Sequence, residues 1–170
     1  FYLSAENNFL RRLLKNVPVL EAGARSASIS FTQRNIGDVL IAPENEAALA
    51  AKTLGENSFE VVYPSITAYT PIYVAEVNKN TQADGLHQLS HDYLSYLWST
   101  PAQELAAKNY FRPTDKKIIA KTTALFPEVN QFDVNQRFGS WEAINTKHFV
   151  DNGLFDRLYI SAQSADKVNK

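Results

Sequence analysis

Residues 16–47 read NVPVLEAGARSASISFTQRNIGDVLIAPENEA, and the folding of this stretch decides the architecture. Pro18 ends the helix before it, because the residue ahead of a proline is pushed out of the helical region. A short extended step over 17–20 follows, and Gly23 breaks it. Ala27, Ile29 and Phe31 then alternate with Ser26, Ser28 and Ser30, the period of a strand. A serine at the start and Arg34 near the end suit a short helix as well. Pattern alone leans to the strand. Gly37-Asp38 opens the apolar run Val39 to Ala42, which predicts a buried strand. Pro43-Glu44-Asn45-Glu46 starts a helix, with proline in the first turn and acids at the positive end. Gly55 closes it.

The same signals extend in both directions. Residues 2–16 place Leu3, Phe9, Leu10, Leu13 and Leu14 mostly on one helical face, with Arg11, Arg12 and Lys15 opposite. Residues 59–63 and 72–77 read as strands. Residues 81–98 carry Leu86, Leu89, Tyr93, Leu94 and Leu97 at helical spacing, and Tyr93, Trp98 and Tyr110 read as packing residues. Ser99 with Glu104 resembles a cap and opens a helix to Tyr110. Residues 112–115 start another helix, 132–138 form a linker, Ser140 caps a helix from Trp141, and residues 155–162 are the last helix. Strands alternating with helices in the first half imply an α/β fold.

Composition narrows the function classes. The chain has 170 residues, and 17 basic against 18 acidic side chains leave a net charge of −1, so no broad field draws it to nucleic acid. No apolar run is long enough for a membrane-spanning helix. Cysteine is absent, which removes thiol catalysis, disulfides and zinc–cysteine sites. Methionine is absent too, and the chain starts on the uncapped apolar residues Phe1-Tyr2-Leu3. The expectation is a piece of a longer protein, cut inside a helix.

The chemistry gathers at Gly23-Ala24-Arg25-Ser26. If a helix begins there, its first amides and its dipole make an anion site that needs no metal. The hydroxyls of Ser26, Ser28 and Ser30 add donors, and residues 22–36 contain no Asp or Glu. Donors without acceptors suit a fully ionised oxyanion such as sulfate. The other reading is that small residues merely allow close packing at a turn. Arg25 would then be a solvated surface residue. His87 and His91 have a metal-compatible spacing, but no third ligand is evident, so the expectation is no metal. No nucleophile elbow, phosphate loop or dinucleotide fingerprint is present, so neither a catalytic residue nor a cofactor is expected.

Three blocks, residues 16–47, YLWSTPAQELAAKNYFRP at 96–113 and FGSWEAINTKHFVDNGLFDRLY at 138–159, resemble the sulfate/thiosulfate-binding proteins of bacterial ABC transporters. The resemblance covers about the C-terminal half of such a protein. It implies a two-lobed, type II-like periplasmic binding protein, here lacking its N-terminal half. Residues 1–66 would be the rest of the second lobe, and 67–170 the crossover and helical return to the first. It implies a periplasmic receptor that catalyses nothing and hands an inorganic oxyanion to a membrane permease. By this resemblance the matching donor is the backbone amide of Ala24, Arg25 supports the loop and offsets charge, and residues 26–34 are helical.

Two departures matter. Pro43 stands where the family usually has a tryptophan whose indole N–H reaches the anion, and Ser26 stands where glycine is common. Proline has neither a side-chain donor nor a backbone N–H. Either Asn45 substitutes, or the ligand differs, or binding is weaker. A rival expectation is a self-associating piece, a homodimer that binds no ligand. A hydrolase using a serine with His148 is the third reading.

Overall fold

A computed structural model describes residues 4–55 and 58–164. Its elements are α1 (Ala5–Lys15), α2 (Ala24–Arg34), α3 (Glu44–Leu54), β1 (Thr67–Tyr69), α4 (Asn78–Ala83), α5 (His87–Tyr96), α6 (Thr100–Lys108), α7 (Lys116–Lys121), β2 (Gln131–Asp133), α8 (Val134–Phe138), α9 (Trp141–His148) and α10 (Leu154–Ser164). The chain divides into two compact units, residues 1–40 with 131–170, and residues 41–130. The expected boundary at 66/67 concerned the lobes of a longer protein. The compact units within this chain, which divide at 40/41 and 130/131, are a separate matter from that boundary.

In the first unit α1 packs against α10. The Ser4 hydroxyl caps α1 by accepting from the Asn7 amide at 3.3 Å. The expectation of a helix cut at its start rested on Phe1 to Leu3, which lie outside the described residues. α10 buries Leu158 and Ala162. Phe155 stacks on Tyr159 with centroids 6.1 Å apart and rings nearly parallel, and Phe149 lies 6.1 Å from Phe155. Residues 26–34, which the alternation alone assigned to a strand, are helical in α2. Asn35 ends α2 in the left-handed conformation, where a short polar side chain is tolerated.

In the second unit Ala107 of α6, Ile118 of α7 and Phe126 make the buried cluster. Ser99 and Asp115 cap these two helices, as residue type predicts. The Gln103 side chain accepts from the Thr114 amide at 2.8 Å and donates to the Leu97 carbonyl at 2.9 Å, tying both helix starts together. The helix expected over 81–98 is two helices, α4 and α5. Gly85, at φ +67°, turns the chain between them, and the Leu86 amide closes on the Thr81 carbonyl at 2.8 Å.

The β-content corrects the sequence expectation most. Segments 17–20, 39–42, 59–63 and 72–77 form no strand, whereas β1 and β2, of three residues each, fall elsewhere. The described fold is mixed but dominated by helix. Val39 and Ile41, expected to be buried, are 81% and 80% exposed. Tyr93 and Trp98, expected to pack, are also exposed. The reason is hydrogen bonding: an extended apolar run becomes a strand only beside a neighbour that takes its amides and carbonyls. The linker expected at 132–138 is β2 running into α8, with the Asp133 carboxylate capping the helix.

Candidate functional site

α2 starts in an unusual way for its sequence. Gly23 is its N-cap, in an extended conformation (φ −159°, ψ 161°) open to any residue. A Cβ built on Gly23 would meet nothing within 4 Å. Neither backbone strain nor crowding therefore requires glycine here. What glycine does is leave the helix without a side-chain cap. The first intrahelical bond runs from the Ala27 amide to the Gly23 carbonyl, 3.1 Å. The amides of Ala24, Arg25 and Ser26 precede it, and all three residues are exposed. No acidic side chain sits in this first turn. A helix start with its dipole, no carboxylate and one arginine is chemically suited to an anion.

Two expected donors are corrected. Ser28 and Ser30 are buried, and their hydroxyls bond inside the protein. Ser28 Oγ donates to the Ala24 carbonyl at 3.1 Å, and Ser30 Oγ donates to Glu21 Oε1 at 2.5 Å. Glu21 lies just outside the acid-free stretch, and the Gly23 bend brings its carboxylate back onto α2. A contact across a bend leaves no periodic trace in sequence, so pattern reading missed it.

Asn45 is the second residue of α3, in the other compact unit, and is half-buried. Pro43 is the N-cap, with Glu44 and Glu46 on either side of Asn45. Glu44 is held by Arg112 in a two-pronged pair, Nε to Oε2 at 3.0 Å and Nη2 to Oε1 at 2.6 Å. Arg112 Nη2 also donates to the Pro127 carbonyl at 3.0 Å, and its guanidinium lies over the Phe126 ring, 5.2 Å from the centroid. Burial, and then the nearby Glu44 carboxylate, push the Tyr63 phenol above its ordinary pKa. Glu44 read as a helix-start acid in the sequence. Its partner 68 residues later had no local signal.

His87 and His91 lie on α5, and His148 contacts Phe149 at 6.2 Å between centroids, in line with packing. Among the described residues no group of three or more His, Cys, Asp or Glu side chains could hold a metal. No described helix is long and apolar enough to cross a membrane. Two shallow depressions, about 290 Å³ along α1 and about 180 Å³ between α6 and α7, share no residue with the starts of α2 or α3.

No protein-family model matches the chain. Individual proteins do. A thiosulfate-binding protein of Pseudomonas aeruginosa is 44% identical over 151 residues, which is 89% of this chain and 46% of that protein. A sulfate-binding protein of Escherichia coli is 43% identical over the same shares. A thiosulfate-binding protein of Escherichia coli is 35% identical over 92% of this chain and 46% of its own length. These relatives make the chain a homologue of solute-binding proteins. Within that class it is homologous to the sulfate- and thiosulfate-binding proteins, and it spans about half the length of the relatives it matches.

Proposed function

We propose that this chain is part of a two-lobed periplasmic receptor that binds sulfate or thiosulfate and delivers it to the membrane permease of an ABC importer. In this reading it catalyses no reaction, and the anion is held without a cofactor or metal. The observation that carries the reading is the start of α2: a glycine N-cap with no side-chain cap and no acid in the first turn, in a homologue of proteins named for these anions. In this reading the Ala24 and Ser26 amides point donors at the ligand, and Arg25 offsets part of its charge. Asn45 supplies the donor that Pro43 lacks. A ligand without a proton meets only donors, whereas a protonated phosphate would need an acceptor as well. Closure of the lobes on the anion is the form that the permease reads.

The exposed extended segments support the two-lobed part of the proposal. Val62, Ile72 and Tyr73 are 71–80% exposed on runs with strand composition. In our reading they are strands whose partners lie in the rest of a protein about twice this length.

The experiment is sulfate and thiosulfate titration calorimetry on the chain and on Ala24→Pro. Ala24 is the first helical residue, where proline fits without breaking a helix. The substitution thus removes one N–H and leaves α2 standing. Loss of binding with an unchanged far-UV circular dichroism spectrum is the expected result. A parent chain that takes up neither anion, or a variant that binds as tightly as the parent, refutes the assignment.

The same exposed apolar side chains favour a second reading, in which two copies cover them in a ligand-free homodimer. A dimeric mass by light scattering, with no heat of sulfate binding, would support it.

A further inference from the structure

Side chains that the anion-binding reading leaves unused meet at the start of α5. His87 is its first residue and His91 stands one turn further on, so the two rings share a helix face. Both are open to solvent, at 62% and 67% side-chain exposure. Glu76, nearly covered at 11%, places Oε1 2.6 Å from His87 Nδ1. The Thr81 hydroxyl donates to the same oxygen. Glu76 thus engages Nδ1 of His87, and Nε2, across the ring, is not the atom it contacts. His91 Nδ1 lies 3.8 Å from Asp92 Oδ1, too far for a hydrogen bond, and Gln88 Nε2 donates to that oxygen at 2.8 Å.

A carboxylate behind an imidazole fixes its tautomer and raises the basicity of the opposite nitrogen, which is how metal-binding histidines are prepared. Of the two rings only His87 is backed in this way, but two imidazoles four apart on one helix face can chelate a single ion. We infer that His87 and His91 form an open two-histidine chelate for a borderline divalent cation such as Zn²⁺. The ion is bound through both Nε2 atoms, with water completing its shell, and Glu76 acts as the positioning residue for His87. With two protein ligands the site is an exchangeable surface site, distinct from a closed four-ligand structural one. It does not depend on sulfate binding.

The test is a titration of the 170-residue chain with Zn²⁺ alone, in a buffer that does not chelate metals. Calorimetry gives affinity, and long-range ¹H–¹⁵N spectra of the histidine rings report which nitrogen responds. Before zinc, His87 should show the Nδ1–H tautomer. Zinc should then shift Nε2 of His87 and His91. Either His87→Gln or His91→Gln should weaken binding about tenfold or more, and Glu76→Gln about 10- to 100-fold. His148→Gln, which alters the one remaining histidine, should keep the parental affinity. Parental affinity in the His87→Gln/His91→Gln double variant would overturn the inference. So would zinc shifts confined to His148, or ring nitrogens unmoved by millimolar zinc. Circular dichroism on each variant shows that the fold is retained.

Discussion

Replacing Arg112 with alanine removes more than a surface charge. The guanidinium makes two bonds to Glu44 and one to the Pro127 carbonyl, and covers the Phe126 ring. Both partners of the ion pair are about one-quarter exposed, at 25% and 24%. Exposed pairs contribute ~0–1 kcal/mol, and breaking a buried one costs ~3–5 kcal/mol. An intermediate pair with two-pronged geometry therefore costs about 2 kcal/mol to break. Lost stacking over Phe126 adds ~0.5–1 kcal/mol. The sum is roughly 2–3 kcal/mol, which for a chain of this size lowers the melting temperature by about 5–10 °C. Arg112→Lys keeps the charge but not the fork, and should fall between the two. Urea unfolding of Arg112→Met, Glu44→Gln and the double variant then isolates the pair by a double-mutant cycle. A coupling of about 1.5–2 kcal/mol is expected. Coupling below about 0.5 kcal/mol would refute the view that this contact anchors the start of α3.

Two further outcomes follow from the same geometry. In the proposed anion site, Pro43→Trp introduces an indole donor at the cap of α3 and should tighten sulfate binding about 10- to 100-fold, the worth of one bond to a charged ligand at ~1.5–3 kcal/mol. Unchanged calorimetric affinity would separate this position from the ligand. The Glu76 carboxyl is lowered first by the Thr81 hydroxyl and then by His87, so its folded pKa lies below its unfolded one. The stabilisation is present above the unfolded value and is lost as pH falls through the folded one, in the range below about pH 4.3. Thr81→Val removes the larger cause, so its urea midpoint should fall less between about pH 7 and pH 3 than that of the parent. Parallel curves would contradict the assignment.

Local chemistry was legible at the helix ends. Ser99, Asp115 and Ser140 cap α6, α7 and α9 because a hydroxyl or carboxylate satisfies nearby amides without help from distant chain. Pro18 and Gly55 stop helices for equally local reasons. The start of α2 was half legible: Gly23 and the acid-free turn were visible, whereas helix and strand periods competed over residues 26–34. Small serines fit both periods, and the i to i−4 bonds of Ser28 and Thr32 belong to the helix once it has formed.

What depends on distant partners had to come from the folded chain. Segments 39–42 and 59–63 have strand composition yet are not strands here, because composition cannot provide the neighbouring edge that a strand requires. Likewise Ser30 finds Glu21 across a bend, and Arg112 finds Glu44 across 68 residues. A capping hydroxyl acts within one turn, and its partner is written beside it. An ion pair or a strand ladder joins positions that only the path of the chain brings together.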